Sequence, residues 1–182
     1  MRDPKAKILT LAQAAAWAQA LRASGGQLAI KNGCFDLKHR GHDESLYLAS
    51  READCLLVLL NSDTSVTALK GPLRPVLGED DRAYNLACHA GVSAVVLFDG
   101  TDCAAELTTL RPDVYVICEE YRASQNAAEA AALADCGART VWQKRIKGLS
   151  TSALAARSKS AARPPDKAST VVFLAECPQP HA

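Results

Sequence analysis

Four short apolar runs recur along the chain with helical stretches between them: Gln27 to Ile30, Cys55 to Leu60, Ala94 to Phe98 and Val114 to Cys118. The clearest of them is continuous, too short for a buried helix and right for a strand covered on both faces. A weaker run spans Arg139 to Trp142. The intervening segments read as helices over Ile8 to Arg22, about His42 to Glu52, Glu79 to Ala90, Cys103 to Leu110 and Gln125 to Cys136. The first carries Leu11, Ala15, Ala18 and Leu21 at helical spacing and stops at Ser24-Gly25-Gly26, and the last ends at Gly137. Buried strands alternating with helices imply an α/β fold, a parallel sheet with helices on both faces. Such a sheet takes its ligands at the carboxyl ends of the strands, near the point where strand order reverses. The loop after the first strand, Asn32 to His42, is therefore the first place to look for chemistry.

With 182 residues the chain suggests one domain, large enough to bury a real core. A formal net charge of +1 offers no electrostatic footprint for nucleic acid or an anionic membrane surface. No apolar run approaches membrane length, and the Ala-rich stretch from Leu11 to Leu21 contains Gln and Trp, so it reads as a helix rather than a signal peptide. The expected location is cytoplasmic. The seven cysteines (34, 55, 88, 103, 118, 136 and 177) are scattered, with no CxxC pair, and read as small apolar residues rather than as disulfides or a zinc site. Cys34 stands apart because its place beside the motif can leave it exposed. Residues 1–158 are expected to form the domain, and 159–182 to form a linker-like tail with a short apolar run at Thr170 to Ala175.

Within the loop, His39-Arg40-Gly41-His42 sets two imidazoles one turn apart at the entry to a helix. Gly41 lets the backbone come close to a ligand. Helix amino termini offer unpaired N–H groups and a dipole that favours phosphate. Two histidines there can donate hydrogen bonds to a phosphoryl group as negative charge builds in a transition state. A chance H-x-G-H in a chain this long is roughly a one-in-two-hundred event.

The whole segment Asn32-Gly33-Cys34-Phe35-Asp36-Leu37-Lys38-His39-Arg40-Gly41-His42 resembles the signature of the cytidylyltransferase-like nucleotidyltransferases. Within them it is most similar to the adenylyltransferases that act on D-glycero-β-D-manno-heptose 1-phosphate. Further segments follow in the same order: Asn61-Ser62-Asp63-Thr64-Ser65-Val66, Leu69-Lys70-Gly71 with Arg74-Pro75, Asp81-Arg82, Arg111-Pro112-Asp113-Val114, and Gly148-Leu149-Ser150-Thr151-Ser152. The resemblance runs from about residue 6 to 158 and implies a Rossmann-like single domain. It implies attack of a sugar 1-phosphate oxygen on the α-phosphorus of ATP, with release of pyrophosphate and assistance from Mg²⁺. His39 and His42 would then stabilise the pentavalent phosphorus, with Lys70 as a further catalytic cation. Asn32, Gly33, Cys34, Phe35 and Gly41 would lie along the nucleotide with Arg145, Ser150 and Thr151. Asp36, Asn61, Asp63, Lys70, Arg74 and Tyr121 would serve the acceptor. Arg82 has two open readings, a phosphate contact or a partner for a carboxylate such as Asp80. The implied partners are a nucleoside triphosphate and a sugar phosphate, with a homodimer possible.

Several positions depart from that pattern. Lys31 stands where a small hydroxyl residue is usual, Lys38 where an aliphatic residue precedes the first histidine, and Ser50 where a lysine is common. The usual Lys-Gly-Gly-Asp-Tyr after the fourth strand appears as Ile117-Cys118-Glu119-Glu120-Tyr121. Arg145-Ile146-Lys147-Gly148 leans towards relatives that use CTP with a phosphorylated polyol or amino alcohol, which keeps CTP as the alternative nucleotide. A nucleotide-binding partner subunit without turnover is the third reading.

Overall fold

The computed structural model describes residues 3–144. The expected contributions of Arg145, Ser150, Thr151, the 158/159 boundary and the Thr170 to Ala175 run lie outside them. Five strands, β1 (Leu28–Gly33), β2 (Cys55–Asn61), β3 (Ala94–Phe98), β4 (Val114–Cys118) and β5 (Arg139–Gln143), form one parallel sheet in the order β3-β2-β1-β4-β5. Six α-helices accompany it: α1 (Leu11–Ala23), α2 (Arg40–Ala49), α3 (Asp63–Lys70), α4 (Glu79–Ala87), α5 (Ala104–Leu110) and α6 (Ala127–Cys136). Short 3-10 helices cover Pro4–Lys7 and Glu119–Ser124. The fold is the Rossmann-like α/β arrangement expected from the runs.

The pleat explains why the runs are apolar throughout. Leu28 and Ile30 of β1, Leu57 and Leu59 of β2, and Tyr115 and Ile117 of β4 face one side, against Ala14 and Ala18 of α1, Leu107 of α5 and Leu133 of α6. Ala29, Leu56, Val58, Leu60, Val114 and Val116 face the other side, against Leu46 and Ala49 of α2 and Ala83 and Leu86 of α4. With both faces covered, the central stretches of β1, β2, β3 and β4 show no polar alternation. The strand order reverses between β1 and β4, so the loop after β1 and the segment after β4 flank one crevice.

Three local differences from the sequence reading have clear causes. Strand β1 continues to Gly33, through Lys31 and Asn32, because β2 pairs with it along its full length. Helix α1 begins at Leu11, since Thr10 and Gln13 form a reciprocal cap and Ile8 instead bridges to Val95 of β3. Helix α3, which the apolar pattern does not announce, is started by the Ser62 hydroxyl accepting from Ser65 N–H and buries Ser65 and Val66. All six cysteines among the described residues are free thiols, but only Cys103 is fully buried and Cys88 is exposed.

Candidate active site

The H-x-G-H spacing is the spacing of a helix cap. His39 is the N-cap of α2, and its Nδ1 accepts from the Gly41 backbone N–H at 3.0 Å. His42, three residues on, returns its own Nδ1 to the His39 N–H at 3.3 Å. This is the geometry of a capping box, with imidazole nitrogens in place of the usual hydroxyl and carboxylate oxygens. Because each Nδ1 acts as acceptor, the proton of each neutral ring belongs on Nε2. The rings stack with centroids 4.1 Å apart. Burial, and then the neighbouring His39, lower the His42 pKa from 6.5 to about 4, with Asp43 opposing and Lys70 and Lys38 adding to the drop. At neutral pH the His42 ring is thus an uncharged N–H donor beside cations.

The preceding loop is shaped to present this pair. Phe35 is buried and its ring lies 5.6 Å from that of His42. A Cβ on Gly33 would stand 3.1 Å from the Phe35 ring, so the glycine makes room for the aromatic to fold back over the strand end. Phe35 and Leu37 both take left-handed backbone conformations, with φ of 46° and 51°. Non-glycine residues adopt these only when their surroundings hold them there.

Two side chains provide that hold. Asp36 is buried, accepts from the Val76 and Leu77 N–H groups, and pairs with the Arg74 guanidinium at 2.8 Å. Arg82 is fully buried and donates to the carbonyls of Cys34 (2.7 Å), Asn61 (2.8 Å) and Leu77 (3.0 Å), and to Asp63 Oδ1 (2.7 Å). One guanidinium thereby ties together the motif loop, the end of β2, the start of α3 and the loop before α4. Of its two sequence readings the carboxylate partnership is the one present, made with Asp63 rather than Asp80. Its three carbonyl contacts have no sequence signature.

The other candidate residues fall around this frame. Asn61 is buried, donates to Ser65 and accepts from the Cys34 thiol at 3.6 Å. Asn32 donates to Cys103 Sγ at 3.4 Å. Lys70 is exposed in the last turn of α3 and lies near enough to depress the His42 pKa. Lys38 is paired with Asp43. Tyr121 is exposed on the 3-10 helix after β4, and among the described residues no hydrogen bond or ring contact joins it to the histidines. Lys31 is buried and reaches Gln143 Oε1 of β5 at 3.2 Å, an oxygen it shares with the Ser45 hydroxyl of α2.

For Mg²⁺ the described side chains offer little. Asp36, Asp43 and Asp63 are each engaged by a cation, and no group of three or more potential ligands occurs among the described residues. No described helix is long and apolar enough to cross a membrane.

Comparison with known proteins agrees with this geometry. A cytidylyltransferase-like family model matches residues 30–157, more than half of the chain. The bifunctional protein HldE of Gluconobacter oxydans (strain 621H) is 37% identical over 154 residues, covering 85% of this chain and 32% of that protein. HldE of Geotalea uraniireducens (strain Rf4) is 44% identical over 119 residues, covering 65% of this chain and 24% of that protein. The chain thus spans at most about a third of the length of these relatives. Among solved structures, the lipopolysaccharide core biosynthesis protein from Thermoplasma volcanium GSS1 is similar with a TM-score of 0.54 at 22% identity, covering 68% of this chain and 98% of that one. That likeness bears on the fold alone.

Proposed function

The chain belongs to the cytidylyltransferase-like family of nucleotidyltransferases, and from that premise we propose that it transfers AMP from ATP to a sugar 1-phosphate such as D-glycero-β-D-manno-heptose 1-phosphate, releasing pyrophosphate. The observation that carries this reading is the reciprocal His39–His42 cap. It leaves two Nε2–H donors at the amino end of α2, where the helix dipole favours a phosphoryl group. As the acceptor oxygen attacks and the α-phosphorus becomes pentavalent, charge builds on its equatorial oxygens. Fixed N–H donors with a lysine at their edge stabilise that charge without reorganising. Asn32, Gly33, Cys34, Phe35 and Gly41 serve the nucleotide in this reading; the roles that the sequence resemblance gives Arg145, Ser150 and Thr151 fall outside the described residues. Asp36, through Arg74, shapes the acceptor side with Asn61, Asp63, Lys70 and Tyr121. Mg²⁺ arrives on the triphosphate as part of the substrate, since the carboxylates of the motif and of α3 already hold cations. The similarity to bifunctional HldE proteins supports the heptose phosphate as acceptor.

CTP with a phosphorylated polyol or amino alcohol is the second reading, favoured by Arg145 ahead of Gly148. Pyrophosphate release measured over a panel of triphosphates and sugar or polyol phosphates decides between them. The expected result is turnover with ATP and a heptose 1-phosphate, cut by at least ~10²-fold in His42→Ala. Undiminished turnover in that variant would overturn the role of the pair, and tight nucleotide binding without release for any pair would identify a non-catalytic subunit.

A further inference from the structure

Behind the motif, on the α1/α5/α6 side of the sheet, lies a closed set of polar groups that the reaction above does not use. Glu129 of α6 is buried, yet among the described residues no cation meets it. Its Oε1 accepts from the Cys103 backbone N–H at 3.0 Å and from the Cys103 thiol at 3.2 Å, and its Oε2 accepts from the Tyr115 hydroxyl at 3.4 Å. The thiol sulfur in turn accepts from Asn32 Nδ2 at 3.4 Å. The chain of contacts therefore runs from a buried carboxylate through a thiol to the side chain of Asn32, the first residue of the motif segment.

The thiol is suited to this. Burial, and next the Glu129 carboxylate, push it far above the usual thiol range, so it remains S–H and donates to Glu129. Its lone pairs are left for Asn32, and the charged acceptor on its far side strengthens them. The arrangement also settles which way the Asn32 amide points. With the S–H committed to Glu129, a flipped amide would set its carbonyl oxygen against the sulfur lone pairs, which repel it. Asn32 Oδ1 meets no donor among the described residues, and the residue is only partly buried. It is an oriented, open acceptor at the carboxyl end of β1.

We infer that Cys103, anchored by Glu129, is a positioning residue that locks the Asn32 amide with its oxygen turned to the nucleotide, where it accepts a hydrogen bond from a hydroxyl or amine of the nucleoside. The inference rests on the reading of Asn32 as a nucleotide contact. Its effect falls on nucleotide affinity and not on the chemical step, because Asn32 is remote in role from the phosphoryl donors.

The test combines calorimetric binding of ATP with steady-state kinetics for Cys103→Ala, Cys103→Ser, Asn32→Ala and the Cys103→Ala/Asn32→Ala pair. Cys103→Ala is expected to weaken ATP binding and raise its KM by roughly three- to tenfold with kcat unchanged, the factor one orienting hydrogen bond supplies. Cys103→Ser, whose hydroxyl also donates and accepts, restores the affinity. In the Asn32→Ala background, Cys103→Ala has no further effect. Unchanged ATP binding in Cys103→Ala, or the same loss with and without Asn32, overturns the inference while leaving the proposed function standing. A native chain that binds no nucleoside triphosphate overturns the proposed function, and the inference with it.

Discussion

Replacing Lys31 with Met removes a charge from the core, and the structure sets the size of the effect. The side chain is 7% exposed and, among the described residues, its ammonium has one neutral acceptor, Gln143 Oε1. Burial lowers its pKa from 10.5 to about 8, against a smaller raising effect from Cys118. At about 1.4 kcal/mol per pH unit, that drop means the charged form costs the fold about 3 kcal/mol at neutral pH. Loss of the Gln143 contact offsets about 1 kcal/mol. Gln143 Oε1 keeps the Ser45 hydroxyl and is not orphaned. Methionine fills similar volume without a charge. The net expectation is a gain of about 2 kcal/mol, or a rise in Tm of about 4–8 °C for a chain of this size. The pH dependence gives an independent check. The folded pKa lies below the unfolded one, so between about 8 and 10.5 the unfolded chain binds a proton that the folded chain does not. Native stability therefore rises with pH in that window, and the advantage of the variant, full below about pH 8, shrinks above it. Denaturant unfolding of both proteins at pH 7 and pH 9.5 reads this directly. A variant less stable at pH 7, or a gap that is the same at both values, would refute the account of Lys31 as an under-compensated buried cation.

His42 should work uncharged. Since His42 titrates at about 4, an NMR titration of its ring is expected to show no change through 6.5 and protonation only on approach to pH 4–5, and a His42 midpoint near 6.5 would contradict its burial as a neutral ring. Stability should decline with acid in the same range, because between 6.5 and about 4 the unfolded chain takes up a proton that folded His42 refuses. Arg82→Ala strips donors from the carbonyls of Cys34, Asn61 and Leu77 and leaves Asp63 unpaired, so urea unfolding should show a loss of about 3 kcal/mol or more. A loss under about 1 kcal/mol would show that the loops hold together without it.

The sequence by itself determined the parallel sheet, the covering of both its faces and the loop that carries the histidine pair. Apolar runs such as Cys55 to Leu60 report burial through local composition, and the motif reports itself through spacing. The cap is a partial case. The H-x-G-H pattern pointed to a helix entry, but only the folded geometry shows the two Nδ1 atoms consumed by backbone N–H groups, which leaves Nε2 as the donor position of each ring. Tertiary structure alone decided the partners of Arg82, of Asp36, of Lys31 and of Cys103. The sequence offered Arg82 a phosphate or a carboxylate, yet it is fully buried because three backbone carbonyls from distant segments also converge on it. Lys31 and Gln143 are 112 residues apart, on strands separated by β4. A hydrogen bond to a backbone carbonyl, or to a side chain brought near by sheet order, leaves no trace in composition or period. Periodicity records which face of an element is buried; what a buried polar group touches depends on which elements the fold sets side by side.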